Sequence, residues 1–540
     1  MGGSLMFSFF HRNRNATWGR PRPVVILAII SLLLLLLAAC KPAFLDPPRL
    51  ATETAQEVVM ATPAPPLDLP APTPTGPAGE IAETAANSTT SIAPNPALIF
   101  WGKKGSTAEA VAQQAIANEF SAQSGVNVEL FLVEPELLPD LMQTAVVSSA
   151  YPMPHVVMLP LEYTVGWAEE GVLDIGTTTQ VMTILEQETF DPAALELVQV
   201  GGGLAALPSD GWQQLLLYRT DWFAEQNLPP PLDYSAIISA GQAISNSIEL
   251  INGFNMPTES SLVATTRAFE QLAIANGCQL VDEKGELQIL TPACQDALEM
   301  YRFLCNSFCP PGVQTEVSTR NAYLAGRVGM IMAPPSVLPM LAGLDPANLP
   351  TCTDCTSATY LAENTGIVTQ FRGRGNGATS ANLGNATYLG ITNAADEEIA
   401  AAFAQYWFND GYMTWIGSAP EMKVPLRRGT PEEPLRFIRE WVTLPLRAGG
   451  ANLTDLFGES VANDLSTNIL DSSRWGFRQG YGGLVSQIYE DLHFSILLQE
   501  LLSGYYNSNR AAIEGYKRLV ELIPNYAFYV DPEPTPSPEP

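Results

Sequence analysis

Beyond residue 96, the chain alternates between short apolar runs and amphipathic segments with a helical repeat. Residues 97–101 form an apolar run that ends at Gly102, and residues 106–109 carry the Ser-x-x-Glu pattern of a helix capping box. Apolar residues then recur at helical spacing until Gly125, a residue type that commonly ends helices. Residues 126–133 are apolar and β-branched, which predicts a buried strand.

A strand, a helix and a second strand at this spacing predict a βαβ unit. Another helical stretch at residues 141–147 leads to a third predicted strand at residues 155–159. The predicted fold class is therefore α/β with a largely parallel sheet. In such sheets ligands bind beyond the carboxyl ends of the strands, so the residues that directly follow each strand are candidates for a binding site.

The residues that follow the predicted strands combine aromatic, carboxylate and hydroxyl side chains. These residues are at positions 101–102, 160–163, 209–212 and 334–336. The mixture favours a neutral, polyhydroxylated ligand, because rings pack on the apolar faces of a sugar while oxygen atoms bond its hydroxyls.

The N-terminal residues have a different pattern of apolar and charged positions from the rest of the chain. Residues 1–39 contain four arginines and no acid, and residues 24–37 form an apolar run broken only by Ser31, which predicts a cleavable export signal. The run is shorter than the roughly 20 residues that span a bilayer, although an uncleaved anchor remains the alternative. Leu37-Ala38-Ala39-Cys40 resembles the bacterial lipobox, which implies a lipid on Cys40 and attachment to the outer face of the cell membrane.

Proline, alanine and threonine dominate residues 40–96, and the C-terminal residues 526–540 end in a proline-rich stretch. Such segments cannot bury enough apolar surface to offset their chain entropy, so we predict a disordered stalk and a disordered tail. More than four hundred residues lie between the stalk and the tail. Because a single hydrophobic core rarely supports so many residues, two lobes are expected.

Charge and cysteine content restrict the functional classes. The net charge is −29, and removing the four arginines of the signal takes it to −33, which argues against a nucleic-acid partner. Six cysteines follow Cys40, an even number that favours disulfides in an exported domain. Their close spacings suggest the pairs Cys278 with Cys294, Cys305 with Cys309, and Cys352 with Cys355. A redox pair at 352–355, or a zinc site that also uses Cys305 and Cys309, is the alternative.

Signals for catalysis are weak. The sequence has no His-x-x-x-His spacing, no Gly-x-Ser-x-Gly elbow and no phosphate loop, so no enzyme activity, cofactor or metal is expected. The main enzymatic alternative is an exported glycoside hydrolase in which Glu162 and Asp210 act as acid and base.

Several segments, in order, resemble the family 1 extracellular solute-binding proteins that serve ABC importers, a group that includes maltose-binding and other sugar-binding receptors. The segments are IFWG (99–102), GVNV (125–128), PHVVMLP (154–160), LAALP (204–208), LYRTDWF (217–223), LPPP (228–231), AGRVGM (325–330) and YLGI (388–391). The similarity extends from about residue 97 to 520.

This resemblance implies a two-lobe fold of the periplasmic binding-protein type, with a solute in the cleft and an ABC permease as partner. Lobe one would comprise residues 97–208 and 386–425, and lobe two residues 209–385 and 426–525. The chain would act as a monomer, and a lipid-anchored sensor of the same fold is the alternative role. Carried over by position, the ligand-binding candidates are Trp101, Glu162, Tyr163, Ser209, Asp210, Trp212, Ser336, Asn382 and Asn385, with Trp475 and Tyr481 in addition.

Overall fold

A computed structural model of the protein describes residues 97–148, 151–447, 450–467, 469 and 474–532. The predicted signal, Cys40, the predicted stalk and residues 533–540 of the predicted tail lie outside the described residues. Within the described ranges, no helix combines the length and the apolar character needed to cross a membrane.

The strands in the described residues form two main sheets. In chain order they are β1 (Ala97–Lys103), β2 (Asn127–Val133), β3 (Val156–Pro160), β4 (Gln199–Val200), β5 (Gly203–Leu204), β6 (Leu207–Gln213), β7 (Leu215–Arg219), β8 (Met330–Ala333), β9 (Thr365–Val368), β10 (Phe371–Arg372), β11 (Ser380–Ala381), β12 (Gly384–Ile391) and β13 (Val424–Pro425). The larger sheet has the order β13-β6-β12-β3-β1-β2, and the smaller one has the order β8-β7-β9.

Helices cover both sheets. Those in the described residues are Thr107–Ser124, Leu138–Val147, Leu161–Glu169, Ile175–Ile184, Pro192–Glu196, Thr220–Glu225, Tyr234–Ile244, Val263–Ala275, Pro292–Phe308, Glu316–Leu324, Leu338–Leu341, Tyr360–Glu363, Glu397–Asn409, Tyr412–Ile416, Arg436–Trp441, Leu453–Phe457, Glu459–Ser466, Gly482–Glu490, His493–Leu502 and Ser508–Leu522. The α/β fold class is confirmed, but the expectation of a largely parallel sheet is wrong, because β1 pairs in parallel with β2 and β3 while the other strand pairs of both sheets are antiparallel.

The first predicted βαβ unit is present. Strand β1 pairs in parallel with both β2 and β3, so it lies inside the sheet. The intervening helix begins with the predicted capping box, in which the Ser106 and Glu109 side chains bond each other's backbone N–H groups, and it ends at Gly125 with a positive φ of 75°. A left-handed conformation of this kind is easy for glycine, which explains why the helix stops there.

The chain passes from the larger to the smaller sheet between β6 and β7, at Gln214. It returns through β12, which pairs antiparallel with both β3 and β6. Residues 209–213, which the sequence-based division assigns to lobe two, pair with the larger sheet, for example Asp210 with Thr387. These two passages bring the ends of both sheets next to each other.

Two of the three suggested cysteine pairs are brought together, Cys278 with Cys294 and Cys352 with Cys355. The third suggestion is wrong for this structure, because Cys305 and Cys309 are free thiols. Cys305 lies in the last turn of the helix that ends at Phe308, and Cys309 follows that helix in an extended conformation. For the zinc alternative, Cys305 and Cys309 do not join Cys352 and Cys355 in any described cluster of ligand atoms close enough to hold one metal ion.

Helices near the C-terminus pack against the helix that follows β3. The Ser486 hydroxyl donates to the Glu162 carbonyl and accepts from the Gly166 N–H, and the Trp167 indole donates to the Glu490 carboxylate at 2.8 Å. Burial raises the pKa of Glu490 to about 7. The usual carboxyl value applies in the unfolded chain, so between about pH 4.5 and 7 the folded state keeps a proton that the unfolded state has lost.

This difference predicts that stability falls as pH rises from about 4.5 to 7. We expect Glu490→Gln to remove the effect and to be about 1 kcal/mol more stable than the parent at pH 8, with no gain at pH 4, after discounting for a half-buried group. Thermal melts at both pH values measure this, with the exposed Glu459→Gln as control for the lost charge. A gain of the same size at both pH values would contradict the prediction.

Candidate binding cleft

A cleft of ≈ 290 Å³ lies where the carboxyl ends of β1, β2 and β3 approach the end of β8 and two helices beside the smaller sheet. Its lining residues are Gly102, Lys103, Glu109, Val133, Pro135, Glu136, Leu138, Met158, Leu159, Pro160, Tyr163, Trp212, Val263, Arg267, Glu316, Pro334, Ser336, Asn385, Ala386, Thr387 and Met422. Both sheets therefore contribute to its walls, as expected for a site at strand ends.

Four sequence-predicted residues line this cleft. Tyr163 lies in the first turn of the helix after β3, Trp212 near the end of β6, Ser336 just beyond β8, and Asn385 near the start of β12. They reach the cleft from both sheets although they are far apart in sequence. The structure thus brings together the predicted aromatic, hydroxyl and amide groups.

Several polar groups in the cleft wall have no protein partner. No hydrogen bond joins the Tyr163 hydroxyl, the Trp212 indole N–H or the Ser336 and Thr387 hydroxyls to another described residue, and none of these atoms is sealed from solvent. The Arg267 side chain bonds the protein through Nε alone, so its two terminal nitrogens are also without a partner in the described residues. These donors and acceptors face the solvent of the cleft, so they are available to bond a ligand with many hydroxyls.

Ion pairs fix the charged groups at one side of the cleft. The Glu109 carboxylate receives hydrogen bonds from the ammonium groups of Lys103 at 3.4 Å and Lys423 at 2.5 Å. Burial alone would raise the pKa of Glu109, but the two ammonium groups hold it well below its usual range. The Lys423 ammonium also lies 4.1 Å from the ring centroid of Trp415, which fixes its position.

A buried charge network lies beneath the cleft. One oxygen of Glu162 accepts from Arg267 Nε at 2.9 Å, from Arg474 at 3.3 Å and from the Asn385 amide at 3.1 Å. Arg474 also pairs with Glu270 at 2.9 Å. Burial would raise the pKa of Glu162, but the two guanidinium groups outweigh this and lower it to about 2. Glu162 therefore holds Arg267 and Asn385 in place and does not itself line the cleft.

Trp101, Ser209 and Asp210 do not line the cleft, contrary to the sequence-based expectation. Strand β1 continues to Lys103, so Trp101 still lies inside the sheet and is only 4% exposed. The Asp210 carboxylate bonds the Ser209 hydroxyl at 2.8 Å and the Trp415 indole at 2.6 Å, and β13 covers this edge of the sheet. Burial raises the pKa of Asp210, with partial compensation from Lys423.

Asn382, Trp475 and Tyr481 also lie elsewhere. Asn382 donates to Gln213 Oε1 at 2.8 Å and borders a separate cavity. Trp475 is fully buried and donates its indole N–H to the Cys278 carbonyl at 3.0 Å, so it belongs to the core. The hydroxyl of Tyr481 lies against Gly285, where a larger residue would collide with it.

The hydrolase alternative requires Glu162 and Asp210 to face a common substrate. Both carboxylates are buried, each is bonded to protein groups of its own, and neither lines the cleft. The geometry therefore does not favour this pair as acid and base.

Charged lining residues were missed at the sequence level. Lys103 is the last residue of β1 and Glu136 follows β2, so inspection of the strand ends would have found them had the end of β1 been placed correctly and the second strand been included. Arg267 and Glu316 lie on helices that tertiary packing brings to the cleft, and no local pattern indicates them.

Residues 115–419 match the model of a protein family described as bacterial extracellular solute-binding protein. The chain belongs to this family. Among curated protein sequences, none matches this solute-binding protein.

Solved structures share its two-lobe fold. A solute-binding protein of Thermotoga lettingae with bound α-D-tagatose is 18% identical, with a TM-score of 0.60 over 79% of this chain and 100% of that one. The maltose-bound MalE3 of T. maritima is 17% identical, with a TM-score of 0.60 over the same shares. A sugar transporter protein of Arthrobacter chlorophenolicus with bound laminaribiose is 15% identical, with a TM-score of 0.61 and again 79% and 100% coverage. At these identities the likeness shows the fold alone.

Proposed function

We propose that this solute-binding protein captures a sugar or small oligosaccharide in the cleft and delivers it to an ABC importer. The observation that carries the proposal is the cleft wall, where the rings of Tyr163 and Trp212 lie among hydroxyl and indole groups without a partner in the described residues, beside the unbonded terminal nitrogens of Arg267. A sugar presents apolar faces to rings and hydroxyls to such groups. Three similar structures hold saccharides, which supports the same class.

The mechanism is binding with hinge closure and no change of covalent bonds. The lobe with the larger sheet, residues 97–213 with 384–425, and the lobe with the smaller sheet, residues 215–383 with 426–525, would close on the solute. A ligand that bridges both lobes binds the closed state better and shifts the population toward it. The permease would recognise the closed form.

A lipid on Cys40 would hold the exported chain at the outer face of the membrane as a monomer. One acyl chain gives only marginal binding, so the several chains of a bacterial lipoprotein would be needed for a stable anchor. The stalk at residues 40–96 would then let the receptor move near its permease. The close pairs Cys278–Cys294 and Cys352–Cys355 would be structural disulfides in this oxidising location.

A thermal-shift screen of the exported region, residues 41–540, tests the proposal. Mono- and oligosaccharides form the panel, with peptides and metal salts as controls. A ligand at about 1,000 times its Kd stabilises the folded state by about 4 kcal/mol, so we expect at least one saccharide to raise the melting temperature clearly. A shift with a peptide or a metal alone would contradict the sugar assignment. Consumption of a bound sugar would contradict binding without chemistry.

A further inference from the structure

The two cations in the cleft lining are already paired with protein carboxylates. Lys103 pairs with Glu109 at 3.4 Å, and Arg267 pairs with Glu162 at 2.9 Å. Lys423 adds a second ammonium to Glu109, so that carboxylate and its two ammonium groups together carry one excess positive charge.

Two further carboxylates in the lining have no such partner. Glu136 lies in the short turn after β2, and Glu316 is the first residue of the helix Glu316–Leu324 beside the smaller sheet. Neither forms a salt bridge or a hydrogen bond with another described residue. Burial raises the pKa of Glu316, Arg267 offsets only part of this, and the charge of Glu136 adds to the rise. The two carboxylates thus approach the same space from opposite walls.

Tyr163 provides an independent indication of a ligand in that space. It is 4% exposed, yet its hydroxyl has no partner among the described residues, and it lines the same part of the cleft. Burial and the nearby Glu162 raise its pKa well above the usual value, so the hydroxyl stays protonated and can donate to a ligand oxygen. Glu136 lines this cleft together with Tyr163.

We propose that the solute carries a protonated amine beside its hydroxyls, as an amino sugar does, with the amine held between Glu136 and Glu316. Set against the excess ammonium at Glu109, the two carboxylates leave one net negative charge, which an ammonium would balance and an acidic sugar would increase. Neither carboxylate belongs to a described cluster of three or more ligand atoms close enough to hold a metal ion. This inference rests on the proposed function and specifies its ligand class.

Matched saccharide pairs test the inference. Glucose with glucosamine, galactose with galactosamine, and cellobiose with the glucosamine disaccharide differ chiefly by the amine, and N-acetylglucosamine keeps the nitrogen without its charge. Calorimetric titration at pH 7 is expected to show at least one amine binding about tenfold or more tightly than its neutral partner, which equals about 1.4 kcal/mol. Glu136→Gln and Glu316→Gln should each reduce this preference about threefold, and the double variant should abolish it.

Glu129→Gln is the matched control, because it removes the same charge from the exposed face of β2 outside the cleft lining and should leave the preference unchanged. Neutral sugars that bind as tightly as their amine partners would overturn this inference and leave the proposed function standing. If no saccharide binds, both fall. The remaining outcome is that calcium chloride without any sugar raises the melting temperature of the parent but of neither glutamine variant. That result would assign the two carboxylates to a metal site and overturn the inference.

Discussion

Replacing Arg474 by methionine should lower the free energy of unfolding by about 3–5 kcal/mol. Arg474 is fully buried and donates to Glu270 Oε1 at 2.9 Å, to Glu162 at 3.3 Å and to the Gly384 carbonyl at 2.9 Å. Methionine fills much of the same space but leaves two buried carboxylates without one of their cations. Removing one partner of a buried pair costs this much because the remaining charge is uncompensated.

Thermal and urea unfolding of Arg474→Met and of the double variant with Glu270→Gln measure the effect. The double variant should recover part of the loss, because it removes a charge that the single variant strands. The control is Arg436→Met, which breaks an exposed pair with Glu440 and should change stability by no more than about 0.5 kcal/mol. If Arg474→Met unfolds no more easily than Arg436→Met, the network does not stabilise the fold.

The network also has a functional consequence. It connects Glu162, on the helix after β3, with Arg267 and Glu270 on a helix beside the smaller sheet. Two lining residues, Arg267 and Asn385, depend on Glu162 for their positions. A substitution of Glu162 would therefore lower the stability of the fold and also displace residues that line the cleft.

The first βαβ unit could be predicted because its signals are local. The capping box at Ser106, the glycine stop at Gly125 and the apolar runs on either side each act over a few residues. The prediction that Trp101 lines the binding site was wrong because the predicted first strand ended two residues before the end of β1. An error of two residues in a strand boundary is enough to place a side chain at the edge of the sheet when it lies inside the sheet.

The rest of the site depends on contacts between residues distant in sequence. Arg267 and Glu162 are 105 positions apart, and nothing near either residue indicates that they pair. Glu162 lies just after β3, as expected, whereas Asp210 lies inside β6; burial by the C-terminal helices and by β13 excludes both from the cleft. Composition and spacing therefore predict which edge of the sheet carries the cleft, whereas tertiary packing decides which side chains line it.

Replacing Trp212 by alanine should weaken the binding of a saccharide found in the screen about 30-fold, which equals about 2 kcal/mol. Its half-buried ring lines the cleft, and the Arg267 guanidinium lies 5.9 Å from the ring centroid. The variant loses both a face on which a sugar ring packs and a surface that helps to orient Arg267. Because the side chain is only half-buried, the folded state should persist.

Calorimetric titration of the parent, Trp212→Ala, Trp212→Phe and Trp222→Ala separates these effects. Phenylalanine keeps an aromatic face without the indole N–H, so its affinity should lie between those of the parent and the alanine variant. Trp222 is also half-buried but lies outside the cleft lining, against the Arg219 guanidinium at 4.3 Å. Trp222→Ala should lower the melting temperature but leave the affinity for the saccharide within about twofold of that of the parent, because no cleft contact is lost. Equal losses of affinity in Trp212→Ala and Trp222→Ala would show that the effect is a general loss of structure and would remove Trp212 from the binding surface.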